Sequence, residues 1–385
     1  MGNLDLLVAG EGARLLTELA ALGDVSPADE LRLTGALRTR YSADVVAAAL
    51  DQHELRCRAR VKFSRAGSMW FTRDGLEQAS PEPVATHRAR RYAQRGRVVD
   101  LCCGIGGDLI ALAAGADSPP LAVDRDPLHL RMAALNAAVH GGQVDTDLAD
   151  VREVSLAGAG AVFIDPARRG GGRRLRTGES EPPLDWCLGL IERVPAVGIK
   201  AAPGLDRELV PPGWEVEFVA DGRDLKESVL WSPALAGAAS RATVLPAGDQ
   251  LLPDPGERVA VRAPGRYLLD PNPAVTRAGL VGELARSLGA WQLDPMIAFL
   301  FSDEPMVTPF GRCLRVLEDG PWREKELPAR LRALDIGVVD IRRRGLAGDV
   351  AALHRKLKLS GSRRAVLVMT RREDRPWALI CAETD

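Results

Sequence analysis

The chain has 385 residues, of which 46% are hydrophobic and 27% are charged, a composition typical of a globular protein with two or three domains. Its formal net charge of −1 excludes a strong long-range attraction of the whole molecule to nucleic acid, so such contacts would need local basic patches. The start of the chain lacks a signal-peptide pattern, and no apolar run reaches the length of a membrane span. We therefore expect a cytoplasmic protein.

Three domains are predicted from the order of the elements. Residues 1–70 show leucines at helical spacing and predict a small helical domain without chemistry of its own. In residues 71–247, apolar strand-like runs alternate with helical patterns. This predicts a doubly wound, mostly parallel α/β sheet that binds ligands at the carboxyl ends of its strands. A Pro/Gly-rich stretch at 246–264 predicts a linker, and residues 248–385 mix helical and strand-like patterns, typical of an α+β domain.

The six cysteines and five histidines are not spaced like metal ligands. No two cysteines form a Cys-x-x-Cys pair and the histidines occur singly, so we predict neither a metal site nor a disulfide framework. Cys102 and Cys103 are adjacent and could form a redox pair. We favour the interpretation that they are two small buried residues at the end of a strand.

A glycine-bearing loop, Asp-Leu-Cys-Cys-Gly-Ile-Gly-Gly-Asp, follows the first predicted strand at residues 100–108. Glycines let the backbone turn tightly and let a ligand approach the main chain. A dinucleotide site needs Gly-x-Gly-x-x-Gly, in which the helix N-terminus takes the pyrophosphate, but here the third glycine is missing. Asp100 and Asp108 flank the loop instead, and acids suit a ligand with an amino group and a sulfonium. A nucleotide-dependent oxidoreductase is therefore the disfavoured alternative.

Acids also end the next two strands. Asp124, followed by Arg125, is placed to accept hydrogen bonds from both hydroxyls of a ribose. Asp150 ends a short polar strand and could accept from an adenine amino group, while Val151 packs on the ring. Any one of these acids could be an exposed loop residue. Three acids at successive strand ends, in this order, favour a ligand site.

These features resemble the class I S-adenosylmethionine (SAM)-dependent methyltransferases in motif I (residues 99–107), the motif II acid and the motif III acid. The resemblance implies an α/β, doubly wound, seven-stranded Rossmann-like methyltransferase sheet, with SAM as the cofactor. It places the methionine part on the glycine loop, the ribose on Asp124 and the adenine on Asp150. The cofactor-binding residues implied are Asp100, Cys102, Gly104, Gly106, Asp124, Arg125, Asp150 and Val151.

An apolar strand at 161–164 delivers Asp165 and Pro166 to the same edge of the sheet. This resembles the family's motif IV, whose amino-methylating form is Asp/Asn/Ser-Pro-Pro-aromatic and whose acid polarises the attacking amine. Alanine and Arg168 replace the second proline and the aromatic, which leaves the methyl acceptor open. Residues 199–204 lack the cysteine of 5-methyluridine RNA methyltransferases, so covalent pyrimidine methylation is not expected. The predicted catalytic residues are Asp165, Pro166 and Arg168.

Two flanking segments complete the predicted site. The arginines around a triple glycine could grip substrate phosphates or belong to a solvated surface loop, and we assign substrate contacts to Arg169, Arg173 and Arg174. Residues 71–81 resemble the segment before motif I in trimethylguanosine-synthase-like methyltransferases, which packs over the cofactor. By this resemblance the SAM pocket is lined by Glu77, Gln78 and Ser80. A further stretch, Lys226 to Ser228, could supply active-site residues or a structural salt bridge.

Residues from about 256 onward resemble the THUMP-like domain attached to one branch of these methyltransferases. True THUMP domains bind RNA, chiefly tRNA, and a basic cluster at 342–375 is compatible with such a partner. The predicted function is direct methyl transfer from SAM to a nucleobase in tRNA or rRNA, without a membrane or a metal. A small molecule or a protein as the acceptor is one alternative, and a catalytically silent RNA-binding protein that retains SAM is another.

Overall fold

The computed structural model describes residues 2–23, 27–167, 169–170, 173–174 and 180–384; for residues 27, 28, 30, 169, 170, 173 and 174 it describes the backbone alone. The chain divides into two compact units. The first contains residues 1–215 and 227–237, and the second contains residues 216–226 and 238–385. The division into domains at residues 70 and 247 stays a prediction.

The first unit begins with the helices α1 (Gly2–Leu7), α2 (Gly10–Leu22), α3 (Pro27–Leu37) and α4 (Ala43–Ala59). The predicted helical character of this region is therefore confirmed. Apolar side chains at helical spacing form a shared core, which includes Leu15, Leu19, Val46 and Ala49. Ser42 begins α4, because its side-chain oxygen accepts a hydrogen bond from the backbone N–H of Val45.

The central sheet has nine strands within the described residues, in the order β3-β2-β1-β4-β7-β9-β8-β10-β11. The strands are β1 (Val98–Leu101), β2 (Leu121–Asp124), β3 (Asp145–Leu148), β4 (Ala161–Ile164), β7 (Val197–Ala201), β8 (Glu215–Asp221), β9 (Asp224–Trp231), β10 (Ser240–Leu245) and β11 (Asp249–Leu251). A two-stranded ladder lies between β4 and β7 in the chain: β5 (Arg169–Gly170) and β6 (Arg173–Arg174).

The doubly wound α/β fold is confirmed, but the predicted count of seven strands is wrong. β11 lies within the stretch that the prolines and glycines predicted as a linker, and it pairs antiparallel with β10. The strands β1, β2, β3, β4 and β7 run parallel to one another, whereas β9 is antiparallel to β7. All residues of β1 and β4 are buried, as central parallel strands require, whereas β3 at the edge is polar and exposed.

Two helices precede the first strand of the sheet, α5 (Arg73–Gln78) and α6 (Glu82–Ala89). Three more follow strands: α7 (Leu109–Ala113) after β1, α8 (Pro127–Val139) after β2 and α9 (Leu184–Gly189) after β6. Asp126 begins α8, because its carboxylate accepts hydrogen bonds from the N–H groups of Leu128 and His129 while Pro127 occupies the first turn.

The second unit contains an α+β domain with a seven-stranded sheet in the described part of the chain, ordered β13-β14-β12-β15-β18-β17-β16. Its elements are β12 (Tyr267–Pro271), α10 (Pro273–Ala278), α11 (Val281–Leu288), β13 (Trp291–Gln292), β14 (Leu300–Ser302), β15 (Gly311–Pro321), α12 (Leu327–Ala333), β16 (Ile336–Arg343), α13 (Val350–Leu357), β17 (Arg363–Arg372) and β18 (Arg375–Glu383). The α+β prediction is confirmed. Apolar residues at helical spacing over 273–288 predict one helix, but the structure has two, because Gly279 adopts φ +74° and caps α10. No helix in the described residues is long and apolar enough to cross a membrane.

Candidate active site

The loop after β1 has the backbone geometry of a ligand-binding turn. Gly104 and Gly106 adopt φ values of +53° and +86°, in the region that side chains disfavour. A Cβ atom on Gly106 would lie 2.9 Å from the Cα atom of Ala133 in α8, so this glycine allows close packing of the loop on the helix. A Cβ atom on Gly104 would meet no described atom within 4 Å. The main chain at Gly104 is therefore open to a ligand.

Asp100 lies at the end of β1 with 1% of its surface exposed. Neither of its carboxylate oxygens has a hydrogen-bond partner among the described residues. Burial raises the pKa of Asp100 well above its usual range, and the neighbouring charge of Asp165 raises it further. A buried acceptor without a partner is costly, so a donor that carries positive charge would be stabilised here. An amino group of the kind that SAM carries fits this position.

Asp124 ties the glycine loop to the end of β2. One of its oxygens accepts from the N–H of Gly104 at 2.8 Å, and the other accepts from the N–H of Asp126 at 2.9 Å. A carboxylate has about four lone-pair sites, so each oxygen can accept a second hydrogen bond from a ligand hydroxyl. Arg125 beside it is exposed.

Asp150 lies two residues beyond β3, later than the predicted strand end. Its carboxylate accepts from the N–H of Arg152 at 2.9 Å, while Val151 is buried. Because β1, β2 and β3 are parallel neighbours, the structure brings the acids at their ends to one edge of the sheet. Acids that follow one another along the chain thus lie at the ends of neighbouring strands.

A buried network of charges lies beside this edge. Arg88 in α6 donates to both oxygens of Glu227 in β9, with its Nη2 atom 2.6 Å from Oε1, and also donates to Asp108. Its guanidinium group lies 4.6 Å above the ring of Phe163. Of the two interpretations of Glu227, the contacts therefore favour a structural ion pair. Sequence reasoning missed Arg88, because nothing local to α6 indicates a partner in β9.

The network reaches Asp165 through Ser80 and Lys200. The Nζ atom of Lys200, in β7, lies 2.6 Å from Oδ2 of Asp165 and 3.0 Å from Oγ of Ser80. Ser80 in turn donates to Asp108 at 2.9 Å. Lys200 was also missed as a functional residue, although a signal existed, since it is a charged residue in an otherwise apolar run.

Other predicted site residues lie apart from this network or outside the description. The side chains of Glu77 and Gln78 are exposed, and the backbone carbonyl of Glu77 accepts from Lys62 at 3.0 Å. Pro166 is buried. Arg168 lies outside the described residues. For Arg169, Arg173 and Arg174 the backbone of the ladder β5–β6 is described.

Two further predictions concern cysteine and metal chemistry. Burial raises the pKa of the Cys102 thiol and that of the Cys103 thiol. A protonated thiol is a poor nucleophile, so the redox alternative gains no support. Among the described residues, no group of three or more His, Cys, Asp or Glu side chains could hold a metal ion.

Comparison with known proteins gives matches at both ends of the chain. A family model described as THUMP domain-like matches residues 311–383. A model described as a domain of unknown function, DUF8688, matches residues 2–59. The first match agrees with the predicted THUMP-like domain.

The chain is also similar to whole proteins. The crystal structure of a putative methyltransferase from Porphyromonas gingivalis W83 covers 94% of this chain and all of its own, with a TM-score of 0.72 and 19% identity, which shows a shared fold. Two uncharacterized SAM-dependent methyltransferases of Mycobacterium tuberculosis, from strains CDC 1551 and H37Rv, are each 42% identical over 312 residues. The aligned region is 79% of this chain and 85% of each relative. With this identity over most of their length, the chain belongs to the S-adenosylmethionine-dependent methyltransferase family.

Proposed function

We propose that the chain transfers the methyl group of SAM directly to a nucleobase in RNA, either tRNA or rRNA. When bound, SAM supplies an electrophilic methyl group on a sulfonium. The observation that carries the cofactor site is Asp100, whose two buried oxygens have no partner among the described residues. At this edge of the sheet, five carboxylates outnumber the two cations Arg88 and Lys200, so the site favours a positively charged ligand. The carboxylates are those of Asp100, Asp108, Asp124, Asp165 and Glu227.

The proposed roles follow the strand ends. Asp100 holds the ammonium group of the methionine part beside the open main chain of Gly104. Asp124 accepts from the ribose hydroxyls, and Asp150 accepts from the adenine amino group while Val151 packs on the ring. These roles use acceptors and apolar surface that the sheet edge provides.

Asp165 and Pro166 are proposed to meet the acceptor. Asp165 follows β4, and its N–H donates to the carbonyl of Leu101 at the end of β1, 3.3 Å away. Because Leu101 leads into the glycine-bearing loop, this hydrogen bond supports the proposed role. A direct displacement needs the acceptor atom in line with the methyl group, so positioning is the main task of the protein.

RNA as the acceptor is supported by basic residues in the second unit. Side chains around α13 and the ends of β17 and β18 are exposed: Arg355, Lys358, Arg364 and Arg375. Because the chain has a net charge near zero, such a local group can contribute most of the attraction to phosphates. The arginines Arg169, Arg173 and Arg174 are proposed to hold the substrate near the reacting base.

The cofactor assignment predicts that Asp124→Ala weakens SAM binding by about 100-fold or more, because two hydrogen bonds from the ribose hydroxyls to a charged acceptor are lost and the loop at Gly104 loses its anchor. Isothermal titration calorimetry with SAM measures the change. Asp147→Ala removes an exposed carboxylate of β3 and serves as the control, with unchanged affinity expected. Equal affinities in the two variants would rule out the proposed ribose site.

The acceptor assignment predicts that tritium from methyl-labelled SAM enters total RNA taken from a gene-deletion strain of the source organism. Arg355→Glu with Lys358→Glu should raise the KM for RNA and reduce the slope of log KM against log salt by about one to two. Lys325→Glu, at another exposed lysine, is the control. Label in protein or small molecules but not in RNA would favour the alternative acceptors and contradict the RNA proposal.

A further inference from the structure

Lys200 is an unusual residue for its place in the fold. It occupies the fourth position of β7, where the preceding three residues are buried and apolar or glycine, and it is itself buried. An ammonium group in such surroundings is stable when oxygens surround it. The structure provides two of them, Oδ2 of Asp165 at 2.6 Å and Oγ of Ser80 at 3.0 Å.

The hydroxyl of Ser80 is held in one orientation by its partners. It has one proton to donate and gives it to Asp108 at 2.9 Å, so it presents lone pairs to Lys200 and to Arg88, whose Nη2 atom is 3.4 Å away. Asp108 and Glu227 are in turn bound by Arg88. The ammonium group of Lys200 is thus held, through Ser80, by a network whose charged groups already have hydrogen-bond partners.

The exposure of the carboxylates increases along this network. The side chain of Glu227 is 2% exposed, that of Asp108 is 10% exposed and that of Asp165 is 26% exposed. Lys200 therefore connects the buried charges to the one carboxylate of the three that solvent reaches appreciably. Lys200 binds Oδ2 of Asp165, and among the described residues no partner binds Oδ1.

We propose that Lys200 is a positioning residue for methyl transfer, which holds Oδ2 of Asp165 so that Oδ1 accepts the hydrogen bond of the acceptor. This inference rests on the proposed function. The lone pair of the acceptor atom forms the bond to the methyl carbon, and the electron pair of the broken carbon–sulfur bond stays on sulfur. The proton that the acceptor loses passes to Oδ1 and from there to water. Lys200 touches neither reactant and acts through Asp165.

The test uses the full-length chain with methyl-tritiated SAM and total RNA from the deletion strain. Lys200→Ala should lower kcat by about 10- to 100-fold, as expected for a misplaced reacting group, while the calorimetric Kd for SAM stays within about twofold. Propylammonium chloride replaces the atoms that the substitution removes, so it should restore part of kcat, whereas potassium chloride at equal ionic strength should not. Lys325→Ala is the control for loss of a lysine, and Lys200→Met keeps the apolar volume if the alanine variant folds poorly.

The outcomes separate this inference from the function on which it rests. If the wild type and the Lys200 variants label RNA equally well, the role of Lys200 is overturned but the proposed function is not. The same holds if propylammonium has no effect on the alanine variant, or if that variant loses SAM binding, which would make Lys200 a cofactor residue. A wild type that binds SAM but labels no RNA would overturn the RNA acceptor, and the inference with it.

Discussion

Replacing Arg88 with leucine is expected to lower the free energy of unfolding by about 3–5 kcal/mol, the cost typical of removing one partner from a buried ion pair. The side chains of Arg88 and Glu227 are almost fully buried, and the substitution leaves Glu227 and Asp108 without their main donor. Burial by itself would lower the pKa of Arg88, but the charge and hydrogen bonds of Glu227, together with the charge of Asp165, outweigh it and the net shift is upward. The guanidinium group is therefore charged throughout the usable pH range.

Urea unfolding followed by tryptophan fluorescence measures this loss. The matched control is Arg40→Leu, which breaks an ion pair of 2.9 Å with Glu18 between exposed side chains and should cost far less stability, because solvent screens such pairs. Adding Glu227→Leu to Arg88→Leu should recover part of the stability, because the unpaired carboxylate is removed with its partner. A cost for Arg88→Leu as small as that of the control would mean that the network is not buried in solution.

Asp100→Asn is expected to have opposite effects on stability and on cofactor binding. Burial, reinforced by the charge of Asp165, raises the pKa of Asp100 in the folded chain above the unfolded value of about 4. The folded state then holds its proton more tightly than the unfolded state, so this group costs stability increasingly as pH rises from about 4 through the folded pKa. Asparagine removes that cost, and we expect a gain of about 1–3 kcal/mol at neutral pH.

The same substitution should weaken SAM binding by about 10- to 100-fold, because a neutral amide replaces the carboxylate that is proposed to hold the ammonium group. In the wild type, binding favours the ionised carboxylate, so SAM affinity should rise as the pH rises toward the raised pKa of Asp100, with release of a proton. Calorimetry in two buffers of different ionisation enthalpy detects that proton. Asp147→Asn should retain the release, and its persistence in Asp100→Asn would contradict the assignment.

Much of the proposed cofactor site could be predicted because its signals are local. The turn at 100–108 needs glycine where the backbone is left-handed or closely packed, and these glycines are visible in the sequence. The acids Asp100, Asp124 and Asp150 are predictable for a similar reason. Each lies at or just beyond the end of a strand, and parallel strands bring their carboxyl ends to one edge.

The extent of the sheet was less predictable. β11 is a three-residue strand among prolines and glycines, and its pairing with β10, rather than its own composition, makes it a strand. Gly279 divides one helical pattern into α10 and α11, although both halves have apolar residues at helical spacing. In the first case a pairing strand, and in the second the left-handed backbone of one glycine, outweighed the pattern of the sequence.

The sequence by itself indicated the α/β fold and the acids at the strand ends, because these follow from hydrophobic periodicity and turn chemistry within short stretches. The family was indicated by the resemblance of its motifs. Only the tertiary structure decided which charges meet. Arg88 and Glu227 are 139 residues apart, Ser80 and Lys200 are 120 apart, and Lys200 and Asp165 are 35 apart. No local pattern encodes such pairs, since their attraction depends on burial at one sheet edge, where a low dielectric makes every unpaired charge costly.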